Sequence, residues 1–162
     1  MGVGEPTKIL FGTDGWRAKI GDEFTFENVR RLAEGVARVV EEDGATAKSV
    51  VIAYDRRFGS EEFAIAAAEI LLAHGIPVAY SRTDVPTQMA SYEVVMRGAA
   101  MGIVITASHN PPHDNGYKVY WKDGGQIVPP HDGGIIAEVN RLKFSEINFH
   151  ANPDLLEYIG EK

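Results

Sequence analysis

The sequence predicts an α/β fold: a three-layer α/β/α sandwich with a mainly parallel sheet plus a β-hairpin. Three observations predict it. Apolar runs too short for helices alternate with longer stretches whose apolar residues recur every three or four positions. The short runs are continuously apolar and rich in Val and Ile, as parallel strands covered on both faces must be. After Lys118 this alternation gives way to two brief extended runs around Asp123-Gly124-Gly125, the mark of a hairpin.

From Thr25 to Glu42, the residues Val29, Leu32, Ala33, Val36, Val39 and Val40 fall on one helical face, with Thr25 suited to cap the start and Gly44 the end. Ser49–Tyr54 is a buried parallel strand by its length and content. Ser60-Glu61-Glu62 opens a second helix through Leu72, its carboxylates placed against the positive end of the helix dipole and Gly75 beyond its end. Ile76–Ser81 supplies the next strand, Thr87–Met96 a shorter helix before Gly98, and Met101–Thr106 another strand. Right-handed crossovers gather the strand ends on one rim, where functional loops are expected. Val119–Trp121 and Gln126–Val128 flank the hairpin turn, and Pro129-Pro130 closes it. His131–Leu142 reads as a final helix with Asp132 near its start and Ile135, Ile136 and Val139 on one face. Lys143–Asn152 has no clear period. Asp154–Ile159 is expected to form a short helix whose Leu155, Leu156 and Ile159 need a further surface.

A chain of 162 residues fits one domain, and 44% hydrophobic with 24% charged residues is ordinary for a globular protein. A formal net charge of −7 disfavours nucleic acid and anionic membrane as partners, since both need clustered Lys and Arg. Any phosphate site must then be a local basic pocket. Cysteine is absent, which excludes disulfides and thiolate metal sites and leaves cytoplasm as the default expectation. No segment approaches the ~20 apolar residues of a membrane span, and the first twenty residues lack a signal-peptide core.

The chemistry concentrates where the strand Met101–Thr106 ends. Ile103-Val-Ile-Thr-Ala-Ser108-His109-Asn110-Pro-Pro is followed by Gly116-Tyr-Lys118, placing a hydroxyl, an imidazole and an ammonium within eleven residues. A neutral serine is a poor nucleophile and needs either help in losing its proton or a phosphoryl group already attached. Phosphorylated, Ser108 would bear about −1.5 to −2 charges and require cations. Arg17 offers a planar fork suited to phosphate and Lys118 a point charge, although either residue alone can equally be a solvated surface cation. Ser108 by itself can equally cap a turn that Pro111-Pro112 drives out of the sheet. His109 adjoins Ser108 and cannot easily turn back on its hydroxyl; it can support a transferring group or simply order the loop. Asn110 can shape the turn or touch phosphate. His113 and Asp114 read as turn and solvent residues, and His74, His131 and His150 as structural. Gly12 and Gly15 suit a tight loop whose amides approach an anion, or an ordinary turn. Trp16 can stack on a sugar or fill the core.

Thr106-Ala-Ser-His-Asn-Pro-Pro112 together with Asn115-Gly-Tyr-Lys118 resembles the phosphoserine loop of the α-D-phosphohexomutases. Phe11-Gly-Thr-Asp-Gly-Trp-Arg17 resembles that family's opening motif, and Asp84-Val-Pro-Thr87 its Pro-Thr turn. The resemblance covers essentially the whole chain and is to domain 1 of a phosphoglucomutase/phosphomannomutase. It implies that Ser108 exchanges a phosphoryl group with hexose 1-phosphate and hexose 6-phosphate through a hexose 1,6-bisphosphate. It implies further that Arg17 clamps phosphate, Lys118 is the general acid/base, His109 supports the transition state, and Gly15, Trp16 and Asn110 bind substrate or phosphate. One Mg2+ is implied, held by the phosphate on Ser108 and by an Asp-x-Asp-x-Asp loop of the next domain. That loop does not occur in this sequence, nor do the sugar-selecting and distal phosphate loops of domains 3 and 4. Residues 1–152 are therefore expected to be the phosphoserine domain, 153–162 the start of a linker, the remaining mutase domains its partners, and the isolated chain inactive. Two rivals stand beside this expectation. One is a free-standing phosphate-binding or interaction module; the other is a hydrolase using Ser108 with His109 or His131, for which no Gly-x-Ser-x-Gly elbow is present.

Overall fold

A computed structural model describes residues 6–12 and 15–160. One six-stranded mixed sheet forms the middle layer, in the order β1 (Trp16–Lys19), β5 (Asp114–Tyr120), β4 (Met101–Ile105), β2 (Val50–Tyr54), β3 (Val78–Ser81), β6 (Leu156–Ile159). β4, β2, β3 and β6 run parallel, while β5 is antiparallel to both of its neighbours. Helices α1 (Phe26–Glu42), α2 (Ser60–Ala73) and α4 (His131–Arg141) share one face of the sheet, and α3 (Thr87–Arg97) packs on the other.

Strand alternation builds the two layers. Val50, Ile52 and Tyr54 of β2 point into the core beneath α1 and α2, whereas Val51 and Ala53 meet Ala90 and Val94 of α3. The helices lie where the apolar spacing places them. α1 begins at Thr25, whose hydroxyl accepts from the Asn28 N–H (3.3 Å), and α3 ends at Gly98 in the left-handed region. α4 packs against α1 at Gly35, where a Cβ would stand 2.6 Å from Val139 Cγ2 and 3.2 Å from the Ile135 carbonyl oxygen. Only glycine permits this approach.

One expectation needs correction. Residues 156–159 form not a helix but strand β6, paired in parallel with β3 from Val78↔Leu156 to Ser81↔Ile159. Leu155 and Leu156 are half-buried against the core and Ile159 is buried, so the sheet itself supplies the surface they need. The spacing of these leucines and the isoleucine mimics a helical face, but pairing with the open edge of β3 satisfies the same backbone groups. The expected hairpin is present but short: the Tyr120↔Gln126 bridge is flanked by bonds from Ile127 N–H to the Val119 carbonyl oxygen (2.9 Å) and from Trp121 N–H to the Gly125 carbonyl oxygen (2.8 Å) around the Asp123–Gly125 turn. Its first arm belongs to the seven-residue β5, which begins at Asp114 and pairs with β4 and β1.

Candidate active site

β4 delivers its carboxyl end to the rim, and there the chain turns sharply. Ser108 has φ 53°, the one positive-φ non-glycine residue among the described residues. A non-glycine residue held in this region costs free energy, and such strain clusters at functional sites. Its conformation is fixed from both sides. The Ser108 N–H donates to Thr106 Oγ1 (2.9 Å), and that hydroxyl donates onward to Asp55 Oδ2 (2.6 Å). The Ser108 carbonyl oxygen accepts from Arg57 Nη2 (2.6 Å).

Arg57 does more than this one bond. Its guanidinium also donates to the carbonyl oxygens of Asn110 (2.7 Å), Pro111 (2.8 Å) and Asp114 (3.2 Å), and its Nε lies 3.4 Å from Asp55 Oδ2. Asp55 Oδ1 accepts from the Arg57 N–H (2.9 Å) and the Ser60 hydroxyl (2.7 Å). Ser60 Oγ in turn accepts from Asn115 Nδ2 (2.9 Å), and Asn115 Oδ1 accepts from the Gly116 N–H (2.8 Å). Asn115 is fully buried, and this chain of bonds keeps it satisfied. Ser108, Asn110 and Pro112 line an open cleft of about 350 Å3 with Asp55, Arg56 and Arg57. Arg56 Nε donates to Asp84 Oδ2 (2.7 Å).

Arg17 arrives from β1. Its register partner is Gly116, and a Cβ at Gly116 would collide with the Thr106 carbonyl oxygen and stand 3.1 Å from Arg17 Cγ. The bare glycine therefore lets the Arg17 stem lie across β5 towards the loop after β4. There Arg17 Nη1 donates to Asn110 Oδ1 (2.8 Å), and Asn110 Nδ2 donates to Asp114 Oδ2 (3.1 Å). Lys118 lies two residues beyond Gly116 on β5, so alternation places it on the same face as Arg17 and makes the two diagonal neighbours. Lys118 is only 6% exposed. It lines a small pocket with Phe11, Gly12, Gly15 and Gln126.

The sequence motifs thus meet in space. Arg17 reaches the loop that carries Ser108 through its hydrogen bond to Asn110, Lys118 shares Arg17's face of the sheet, and Ser108 and His109 stand exposed on the loop. Gly15 has φ 88° and abuts β5, where a Cβ would collide with the Tyr117 carbonyl oxygen. Of the two roles open to Trp16, the structure gives the core: it is 5% exposed and stacks on Phe24 at 4.9 Å. Thr13 and Asp14 of the opening motif lie outside the described residues. Sequence reading missed Asp55, Arg57 and Thr106 as members of the site. The available signal was Asp55-Arg56-Arg57 immediately after a buried strand, on the rim where loops from neighbouring strands converge.

The fit to Mg2+ can be tested on these residues. Among the described residues no group of three His, Asp or Glu gathers to hold a metal. Asp55, the carboxylate lining the Ser108 cleft, has both oxygens committed to Arg57, Ser60 and Thr106. A hard cation needs about six oxygen ligands. The described side chains alone do not make such a site.

Comparison with known proteins adds an independent observation. A family model described as phosphoglucomutase/phosphomannomutase, alpha/beta/alpha domain I, matches residues 8–146. A phosphoribomutase of Saccharomyces cerevisiae is 40% identical over 135 residues, covering 80% of this chain and 22% of the relative. A glucose 1,6-bisphosphate synthase of Mus musculus is 38% identical over 140 residues, again covering 80% and 22%. A crystal structure from Thermus thermophilus, assigned as a phosphomannomutase, superposes with TM-score 0.80 at 37% identity, covering 86% of this chain and 32% of the other. The chain thus spans about a fifth of the length of these curated relatives. With the matched residues running from before β1 to beyond α4, and with the same arrangement of sheet and helices, the chain belongs to the phosphoglucomutase/phosphomannomutase family and corresponds to its α/β/α domain I.

Proposed function

We propose that this chain is the phosphoserine-bearing domain of a phosphosugar mutase that interconverts hexose 1-phosphate and hexose 6-phosphate through a bisphosphate. The observation that carries the reading is the left-handed Ser108 on the rim, with Arg17 tied to its loop through Asn110 and Lys118 on the same sheet face. In the proposed reaction a sugar hydroxyl attacks the phosphorus of phospho-Ser108, and the bond from phosphorus to Ser108 Oγ breaks. Lys118 carries the proton that the hydroxyl sheds and that Ser108 Oγ takes up. Arg17 offsets the charge on the phosphoryl oxygens, and exposed His109 supports the same group from the loop tip. Mg2+ is expected to find most of its ligands outside the residues described.

One observation favours a second substrate class: relatives at 40% identity are named phosphoribomutase and phosphopentomutase, which points to pentose phosphates acting at the same serine. The reading is tested by intact mass after incubation with excess glucose 1,6-bisphosphate or ribose 1,5-bisphosphate. Wild type should gain one phosphoryl group and Ser108→Ala none, and the better donor identifies the sugar. A folded wild-type chain that gains none from either donor favours the free-standing binding module.

A further inference from the structure

Resting on the reading of Ser108 as the phosphoryl acceptor, we propose that Asp55 and Arg57, at the end of β2, are positioning residues that set the Ser108 backbone for phosphoryl transfer. The inference concerns how the serine is aimed, and neither residue needs to touch substrate.

The polarity of the hydrogen-bond chain supports it. The Ser108 N–H is a donor, so Thr106 Oγ1 must accept from it and spend its own proton elsewhere. Asp55 Oδ2, an acceptor, takes that proton at 2.6 Å. The orientation of the Thr106 hydroxyl is thereby fixed, and with it the direction in which the Ser108 N–H points. On the other side of the same residue, Arg57 Nη2 holds the Ser108 carbonyl oxygen at 2.6 Å. Asp55 also anchors Arg57, through the Arg57 N–H at 2.9 Å and Arg57 Nε at 3.4 Å. Both peptide groups that define Ser108's backbone dihedrals therefore lead back to one carboxylate.

The loop after Ser108 is held by the same guanidinium. Arg57 bonds four carbonyl oxygens between Ser108 and Asp114, a span that includes both prolines and contributes few backbone donors of its own. The backbone links that remain are Asn110 N–H to the Ala107 carbonyl oxygen (3.0 Å), Asp114 N–H to the Pro111 carbonyl oxygen (3.0 Å) and Ile20 N–H to the His113 carbonyl oxygen (2.9 Å). An L-residue at φ 53° relaxes to commoner regions unless its surroundings hold it there. Such relaxation would displace Ser108 Oγ on the rim. Displacement of a reacting atom by about 1 Å can cost ~100-fold in rate.

The test compares Arg57→Ala, Arg57→Lys, Thr106→Val and Thr106→Ser in the chain as it stands. The first readout is the rate of Ser108 phosphorylation by glucose 1,6-bisphosphate across a range of donor concentrations, followed by intact mass. Arg57→Ala and Thr106→Val are expected to lower the limiting rate ~10- to 100-fold, with the half-saturating donor concentration changed by less than about twofold. Thr106→Ser, which keeps the hydroxyl, should restore the wild-type rate. Arg57→Lys keeps the charge without the fork and should not.

The second readout is amide hydrogen exchange by NMR, which needs no phosphoryl donor. Thr106→Val should speed exchange at Ser108 and Arg57→Ala at Asn110, while amides of β2 and β4 keep wild-type protection and so report an intact fold. Wild-type limiting rates in Arg57→Ala and Thr106→Val would overturn the proposal. Unchanged exchange at Ser108 and Asn110 in folded variants would also overturn it. If wild type takes up no phosphoryl group, the functional reading fails on its own account, and the exchange measurements still decide whether Asp55 and Arg57 hold the serine.

Discussion

Raising the pH through the slightly alkaline range should loosen the seam between α1 and α2, because a single histidine bridges it. His74, just past the end of α2, places Nε2 2.8 Å from Glu34 Oε2 and Nδ1 2.7 Å from Glu41 Oε1, both carboxylates belonging to α1. The bond to Glu34 raises the imidazole pKa, burial opposes it, and the bond to Glu41 adds to the rise; the result is a value moved from 6.5 up to about 8. The folded value lies above the unfolded one. The stabilisation is therefore complete below pH 6.5 and lost as the pH rises through about 8. A shift of this size, discounted for solvent screening at the exposed Glu41, corresponds to ~1 kcal/mol. For a chain of this length that is about 2–4 °C in Tm. At the acid end, burial alone would raise the Glu34 carboxyl, but the bonds and charges of His74 and Arg38 override it and hold the group below its usual 4.5. Its share is present above pH 4.5 and lost as the pH falls through the folded value. It is the same bonded pair, counted once, so stability should be greatest between the two ordinary values. The assay is urea denaturation at intervals from about pH 5 to 9, for wild type and His74→Gln. The variant should lose most of the fall in midpoint between about pH 6.5 and 9. An equal fall in both proteins would refute the assignment to His74.

Gly35→Val should destabilise by ~1–3 kcal/mol through overpacking of α1 on α4, measured as a lowered urea midpoint; an unchanged midpoint would mean that α4 moves away without cost. Loading of Ser108 by excess bisphosphate is a single transfer that accumulates even when slow, whereas the chain alone should show no appreciable turnover of glucose 1-phosphate in a coupled assay with Mg2+ and trace bisphosphate, since loss of even one transition-state contact costs ~100-fold or more at every cycle. Robust conversion that disappears in Ser108→Ala would mean that the chain assembles a complete site.

Much of this architecture is legible in the sequence because burial on two faces imposes a readable pattern. Val50–Tyr54 and Met101–Ile105 carry continuous apolar runs, and α1 carries a helical stripe, so each declares itself locally. β5 does not. It opens with Asp114-Asn115-Gly116, which reads as a turn, and it buries two polar residues, Asn115 and Lys118; Asn115 bonds Ser60, fifty-five positions away. β1 is four residues long inside a glycine-rich motif, and its pairing with β5 is a contact across nearly a hundred positions. The same distance hid the support of the site. Ser108, Arg17 and Lys118 stand out by chemical type, whereas Asp55 and Arg57 act through carbonyl oxygens and a hydroxyl about fifty residues away, which no local spacing encodes.

If Ser108 is the phosphoryl acceptor, its phosphate should lie beside cations that offset its charge, and a 31P NMR titration of the chain carrying genetically encoded phosphoserine at position 108 reads this without any donor. A free phosphoserine has a second pKa near ~6. Beside the Arg17 guanidinium and the Lys118 ammonium the dianion is favoured, so the phosphate should titrate ~1 unit lower. Arg17→Gln should return it towards the free value with the fold intact. A wild-type resonance that titrates near ~6 and does not move in Arg17→Gln would contradict this placement.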